Sequence, residues 1–168
     1  MHSLKRVHGF FGYGTIGNPL RYIDLILLNF SSSISEFSAI TQYTYHEISY
    51  IYKNPEVSKI LNGISIVEMY HLKLLGEILI QLGAEPGYWI DNKKKNYWSS
   101  KLLDYDISSL KHILEIDINS EKEAIKQYKE TISKISDENI NDILKRIILD
   151  EEIHIQLFLD LYKKYAIQ

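Results

Sequence analysis

ILNGISIVEMYHLKLL, residues 60–75, has a counterpart later in the chain, ILKRIILDEEIHIQLF at residues 143–158. The two stretches share six residues at one constant offset: Ile60, Leu61, Ile64, Glu68, His71 and Leu74 correspond to Ile143, Leu144, Ile147, Glu151, His154 and Leu157. Each copy therefore contains Glu-x-x-His within an otherwise apolar stripe. A repeat of this kind indicates a chain built from two similar halves.

A second repeat lies upstream of each of these stretches. EFSAITQY at residues 36–43 matches EKEAIKQY at residues 121–128, so that Glu, Ala-Ile and Gln-Tyr return at the same spacing. In all four segments the apolar residues step by three and four positions, which is typical of one face of an α-helix. We therefore predict two helical hairpins in tandem, with helices at about 20–53, 56–82, 107–134 and 137–165.

The connection between the second and third predicted helices, GAEPGYWIDNKKKNYWSSKLLDYD, is too long for a tight turn. We interpret it as a crossover that lets the second hairpin pack against the first, which is one of the known four-helix arrangements. The predicted fold is all-α: a four-helix bundle at residues 19–168, preceded by an aromatic, glycine-bearing arm at residues 1–18. His2 and His8 lie in that arm, which we expect to be a docking or flexible segment rather than a metal site.

Composition excludes several classes of function. The 168 residues include no cysteine, which excludes disulfides, zinc–thiolate sites, thiol nucleophiles and iron–sulfur clusters within this chain. The formal net charge is −3, and the run Lys93-Lys94-Lys95 is interpreted as a solvated loop, so no nucleic-acid partner is expected. The N-terminus lacks the apolar core of a signal peptide, and no run of about 18 uninterrupted apolar residues spans a membrane. We therefore expect a cytoplasmic protein.

Charged residues interrupt the apolar stripes at repeated positions. A carboxylate on a buried helix face costs several kcal/mol unless it is paired or binds a metal. Four glutamates and two histidines occupy these positions and would project toward one another in a bundle: Glu36, Glu68, Glu121, Glu151, His71 and His154. Two divalent cations would neutralise four carboxylates, and Glu-x-x-His puts both side chains on one helix face. We predict two metal ions per chain; surface residues or hydrogen-bonded pairs in a plain bundle are the alternative.

These residues resemble the ferritin-like superfamily of di-iron and di-manganese carboxylate proteins. EFSAITQY with VEMYHLKLLGEILIQLGAEP is similar to the first half of bacterioferritins, rubrerythrins and manganese-catalase-like proteins, and EKEAIKQY with ILDEEIHIQL is similar to their second half. The resemblance implies that the metals are Mn or Fe. It also implies the role of each ligand: Glu68 and Glu151 bridge the two ions, Glu36 and His71 complete the shell of one, and Glu121 and His154 complete the shell of the other.

The resemblance also bears on residues near the six ligands. Tyr43 and Tyr128 lie seven residues after the octet glutamates on the same helix face. In the family such a tyrosine hydrogen-bonds a ligand or donates electrons; the alternative is that both fill the core. Met69 occupies the position of the haem-ligating methionine of bacterioferritins, but the same Glu-Met-x-His occurs in relatives without haem, so haem is not expected.

Three further polar positions are open to more than one interpretation. Asp150 is expected to orient His71, since metal-bound histidines usually donate their free N–H to an acceptor. The equivalent residue in the first half is Val67, so this support would be asymmetric. Asp117 either lines an entry path or is a solvated acid near a helix start, and His46 is expected to be a surface or hydrogen-bonded histidine.

The family's chemistry implies hydrogen peroxide or O2 as substrate, because two metals about 3.5–4 Å apart can exchange two electrons with an O–O bond. A rubrerythrin-type peroxidase uses a cysteine module as electron donor, and this chain has no cysteine. Cage ferritins, which are ferroxidases, need a further helix for which too few residues follow His154. Catalase-like disproportionation needs neither, and we favour it. A metal-stabilised structural protein of the spore-coat type is the third alternative, and a homo-oligomer of two to six chains is expected.

Overall fold

The computed structural model describes residues 19–91 and 96–166. Its helices are α1 (Pro19–Ser31), α2 (Glu36–Tyr50), α3 (Pro55–Gln81), α4 (Leu110–Lys134) and α5 (Glu138–Tyr165). α2 packs most extensively on α3, and α4 packs most extensively on α5, so the two predicted helical hairpins are confirmed. Since only a short break separates α1 from α2, the two together form the first of four helical rods. The predicted arm at residues 1–18, with His2 and His8, and the lysine run at residues 93–95 lie outside the described residues.

The first predicted helix is wrong in one respect, because the structure breaks it at Ser32–Ser35. Ser35 caps α2: its hydroxyl oxygen accepts from the backbone N–H of Ser38. The hydroxyl groups of Ser35 and Ser38 both donate to the carbonyl of Ser32, at 2.7 and 2.8 Å. Serine side chains that bond nearby backbone groups compete with helical hydrogen bonds and favour caps. The serine-rich stretch SSSIS carried this signal.

Local signals also set the limits of the later helices. Asn54 caps α3 by accepting from the N–H of Val57, and Asp137 caps α5 by accepting from the N–H of Ile140. After the end of α3, Gly83 has φ +81°, a left-handed conformation that glycine adopts without steric cost and that commonly follows a helix. The bounds of α3 and α5 lie within one residue of the predicted ones, whereas α4 begins three residues later than predicted.

The crossover between α3 and α4 contains short elements that the sequence analysis did not predict. Trp89–Asp91 (β1) pairs antiparallel with Asn96–Tyr97 (β2), and a 3₁₀ turn follows at Ser100–Leu102. The hydroxyl of Ser31 donates to the carbonyl of Trp89 at 2.8 Å, which attaches the hairpin to the end of α1. The crossover therefore runs along the first rod before it reaches α4.

The apolar core consists of two clusters, one on each side of the bundle's midpoint. The first joins α1 to parts of α3, α4 and α5 and includes Ile26, Leu75, Tyr128 and Leu144. The second joins α2 to the remaining parts of the same three helices and includes Tyr43, Leu61, Ile113 and Phe158. The charged residues of the repeat fall between the two clusters along each helix, so apolar side chains separate them from solvent at both ends.

The segment Leu20–Tyr50 is long and apolar enough to cross a membrane, judged by length and composition alone. Half of its most apolar window is buried inside the protein. The same segment contains the buried polar residues Glu36 and Gln42, which face the other helices. Packing in the bundle therefore accounts for its apolar composition.

Ser35→Ala should lower the free energy of unfolding by about 1 kcal/mol, because it removes the N-cap acceptor of α2. Ser133→Ala is the matched control, since Ser133 is exposed on α4 and bonds only the carbonyl of Glu130 in its own helix. Urea unfolding followed by circular dichroism measures both variants. A Ser35→Ala protein as stable as the control would contradict the capping role.

Candidate metal centre

The six charged residues of the repeat meet in the middle of the bundle. Each rod contributes at least one of them, and each residue is at most 3% exposed: Glu36 from α2, Glu68 and His71 from α3, Glu121 from α4, and Glu151 and His154 from α5. Helical spacing produces this convergence, because Glu-x-x-His puts both side chains on the face that α3 and α5 turn toward the core. A buried, charged layer thus lies across the bundle.

Within this layer the side chains form two overlapping clusters. The potential ligand atoms of each cluster lie within 4.8 Å of one another: Glu36, Glu68, His71 and Glu151 in one, and Glu68, Glu121, Glu151 and His154 in the other. Glu68 and Glu151 belong to both clusters. Two neighbouring cation sites that share a pair of carboxylates have this arrangement.

In the first cluster one imidazole nitrogen faces three carboxylates. Nδ1 of His71 lies 2.9 Å from Glu68 Oε2, 3.2 Å from Glu151 Oε1 and 3.6 Å from Glu36 Oε2. A ring nitrogen carries at most one hydrogen. It therefore cannot satisfy three acceptors, whereas a cation between them could bind all four groups.

The second cluster repeats this geometry and leaves one oxygen without a hydrogen bond. Nδ1 of His154 lies 2.8 Å from Glu151 Oε2, 2.9 Å from Glu68 Oε1 and 3.4 Å from Glu121 Oε1. Its hydrogen bond goes to Glu151. Glu68 Oε1 is near but has no hydrogen-bond partner among the described residues. A buried acceptor without a partner is costly, and a cation would remove that cost. Carboxylate and imidazole donors suit Mn or Fe.

The pKa values of the centre are shifted because four carboxylates are buried close together. Burial, followed by repulsion from Glu68 and Glu151, raises the pKa of Glu36 well above its ordinary value. The same causes raise the pKa of Glu121. Burial alone would lower the pKa of His154, but the surrounding carboxylates outweigh it and raise that pKa to about 12. Without cations, the centre must therefore hold protons in their place.

The two octet tyrosines bond glutamates of the opposite half. The hydroxyl of Tyr43 donates to Glu121 Oε1 at 2.9 Å, and the hydroxyl of Tyr128 donates to Glu36 Oε1. Both tyrosines are buried. Burial, and after it the charge of Glu121, raises the pKa of Tyr43 well above its ordinary value, so the phenol keeps its proton. Glu and Tyr recur seven residues apart because each tyrosine positions the glutamate of the other copy.

The support around the two histidines is asymmetric. Nε2 of His71 lies 3.4 Å from Asp150 Oδ2, and Arg146 donates to the other oxygen of Asp150. The residue equivalent to Asp150 in the first half is Val67, which has no polar side-chain atom. The contact expected between Asp150 and His71 is therefore present, although long, and it exists for one histidine of the pair.

A buried, hydrogen-bonded histidine–aspartate pair lies beside the centre and was not predicted from the sequence. Asp117 is 0% exposed, so its interpretation as a solvated acid is wrong. Its two oxygens lie 3.0 and 3.1 Å from Nδ1 of His46, which is itself buried. Burial raises the pKa of Asp117, and His46 opposes that shift. The expectation of a hydrogen-bonded His46 is confirmed, and the available signal was that Asp117 lies one turn before Glu121.

A cavity of about 280 Å³ leads to the centre between α2, α4 and the crossover. The glutamates that line it are Glu36, Glu68, Glu121 and Glu151. None of its lining residues, all from the described part of the chain, is Lys, Arg or His. The cavity thus offers no cationic side chain to an anionic substrate and suits a cation or a small neutral molecule.

The rubrerythrin family model matches residues 28–162 of the chain. The chain belongs to the rubrerythrin family. No curated protein matches this chain significantly.

Solved structures with a similar fold belong to ferritin-like proteins. Manganese catalase KatB from Anabaena is 22% identical with a TM-score of 0.79, over 98% of this chain and 80% of that one. Mycobacterium tuberculosis bacterioferritin BfrA is 24% identical with a TM-score of 0.72, over 89% and 90%. The Desulfovibrio desulfuricans bacterioferritin is 22% identical with a TM-score of 0.69, over 85% and 78%. At these identities the similarity establishes the fold, a ferritin-like helical bundle.

Asp150→Asn should weaken one metal site about 10- to 100-fold and leave the other close to wild type, because it removes the carboxylate behind His71 only. Asp142→Asn is the control, since Asp142 is exposed on the same helix and bonds Lys145. Calorimetric titration with Co²⁺ resolves the two affinities. If Asp150→Asn weakened both sites equally, or neither, the two sites would not differ as described.

Proposed function

We propose that this member of the rubrerythrin family is a di-metal oxidoreductase that disproportionates hydrogen peroxide. Mn or Fe ions would be held by the two clusters, with Glu68 and Glu151 shared between them. When bound, such a pair of redox-active metals would supply two-electron exchange with an O–O bond. The observation that carries the proposal is this sharing of two carboxylates at the end of a cavity without cationic side chains.

Disproportionation needs no external electron donor. One peroxide loses two electrons and two protons and becomes O2; a second peroxide takes up the same electrons and protons and becomes two waters. The protein must therefore hold protons between the two half-reactions. Tyr43 and Tyr128 border the cavity and donate hydrogen bonds to Glu121 and Glu36, so each holds a proton beside a carboxylate of the centre.

Ferroxidase activity is the second candidate, and the likeness to bacterioferritins favours it. The likeness to the manganese catalase extends over more of the chain, 98% against 89% and 85%, which supports peroxide as the substrate. The chain contains no cysteine and so supplies no rubredoxin-type electron donor of its own. A ferroxidase would instead consume O2 with Fe(II) and retain the oxidised iron.

We also propose that the protein forms a small homo-oligomer. Large apolar side chains remain exposed on the outer faces of α3 and α5, including Ile66, Tyr70 and Ile153 at 41%, 64% and 56%. Contact between copies would remove this surface from water. Light scattering distinguishes a small oligomer, which fits the catalase proposal, from a large iron-filled cage, which would favour the ferroxidase.

Wild-type protein loaded with Mn or Fe should release O2 from hydrogen peroxide, measured with an oxygen electrode. Glu68→Ala should lose turnover and bound metal together, because Glu68 contributes to both clusters. Glu77→Ala, an exposed position on the same helix, should retain both. A wild-type protein that binds two ions and melts at a higher temperature with them, yet leaves peroxide intact, would be a metal-stabilised structural protein instead.

Tyr43→Phe should lower kcat by about 10- to 100-fold while both metals stay bound, because it removes the hydrogen bond that orients Glu121, a proposed metal ligand. Tyr45→Phe is the control, since Tyr45 lies on the same helix as Tyr43 but its hydroxyl contacts the carbonyl of Tyr105 at the protein surface. Metal analysis and peroxide kinetics measure the two effects. An undiminished kcat in Tyr43→Phe would mean that the hydrogen bond to Glu121 does not contribute to turnover.

A further inference from the structure

Each octet repeats a glutamine directly before its tyrosine, and neither glutamine belongs to the metal clusters. Gln42 and Gln127 both line the cavity that leads to the centre. Each bonds the main chain of a non-helical segment, and each of these segments forms part of the cavity wall. The repeat therefore places one side chain of the same type against each of two walls.

Gln42 holds the crossover. Its Nε2 donates to the carbonyl of Asp104 at 2.8 Å, and its Oε1 accepts from the N–H of the same residue at 2.8 Å. The amide group thus engages both backbone polar groups of one residue, as a neighbouring strand would. Asp104 lines the cavity together with Leu102 and Leu103, so this contact fixes the position of that wall.

The buried pair beside the centre fixes the orientation of Gln42. Nε2 of Gln42 also lies 2.8 Å from Nε2 of His46. Since an amide nitrogen only donates, His46 must accept at Nε2 and carry its hydrogen on Nδ1, which faces Asp117. Turning the amide round would bring its oxygen against the carbonyl of Asp104 and its NH2 group against the N–H. One amide orientation therefore satisfies the whole network.

Gln127 makes a similar contact with a second part of the cavity wall. Its Nε2 donates to the carbonyl of Ile34 at 2.8 Å and to Oδ1 of Asn29 at 3.2 Å. Ile34 lies in the break between α1 and α2, and Asn29 is anchored in turn by a 2.9 Å hydrogen bond to Thr131. Asn29 and Ile34 both line the cavity.

We propose that Gln42 and Gln127 are positioning residues that set the width of the entrance to the metal centre. They hold the crossover and the helix break on two sides of one cavity, so that peroxide-sized molecules and single ions pass while bulkier reagents are retarded. This selection by size rests on the proposed function, because it presupposes metal at the centre. The two residues of each Gln-Tyr pair then have different roles: the tyrosine positions a glutamate of the centre, and the glutamine positions a segment of the cavity wall.

Chelators of two sizes test this entrance in full-length protein loaded with Co²⁺. Gln42→Ala and Gln127→Ala should each speed extraction by bulky EDTA about tenfold, the effect of losing hydrogen bonds to a wall. Extraction by the smaller 2,2′-bipyridine should change much less, since it already passes. Gln156→Ala, an exposed position on α5 that bonds Asp160, is the control. A general loss of stability would speed both chelators alike, and that outcome would overturn the proposal.

Hydrogen exchange at the Asp104 amide tests the contact itself and needs no metal. Exchange should be faster in Gln42→Ala and unchanged in Gln127→Ala and Gln156→Ala, because only Gln42 accepts from that amide. An unchanged ratio between the two chelators would overturn the entrance role even if Asp104 exchanged faster. A wild-type protein that binds no Co²⁺ is a different result, which would overturn the proposed function and the entrance role with it.

Discussion

Four carboxylates and two imidazoles share one buried layer of this protein, and the rest of the structure depends on how the charges in that layer are balanced. Apolar clusters lie on both sides of the layer, so solvent screens the repulsion between the carboxylates only weakly. Protons can relieve it, as the raised pKa values of Glu36 and Glu121 show. Two divalent cations relieve it more completely, because they also satisfy the oxygens that the histidine hydrogens cannot reach.

The duplicated sequence brings the charged side chains of the two halves together in this layer. Each half supplies the same set of side chains, and the two sets cross: Tyr43 bonds Glu121, and Tyr128 bonds Glu36. Neither hairpin can complete the centre alone, so assembly of the layer depends on the packing of both halves. The two halves differ in the residues around the layer: Asp150 contacts His71, whereas the equivalent residue of the first half is Val67.

The sequence predicted the two hairpins and the six buried charged residues, because helical periodicity determines which residues share a face. It did not predict the break at Ser32–Ser35, since the apolar pattern continues through a segment that capping bonds interrupt. It also missed the pairing of His46 with Asp117, which lie on different rods. Periodicity identifies a buried face but not the partner on another helix. The short hairpin in the crossover depends on contacts with α1 and had no regular pattern to reveal it.

Counting the protons displaced by metal is the most direct test of this charge balance. Calorimetric titration with Mn²⁺ in buffers of different ionisation enthalpy gives the number of ions bound and the number of protons released. The structure predicts two ions per chain, with protons leaving as they bind, because cations replace the protons that the buried groups otherwise hold. Binding without proton release, or a folded protein that takes up no metal, would contradict the account.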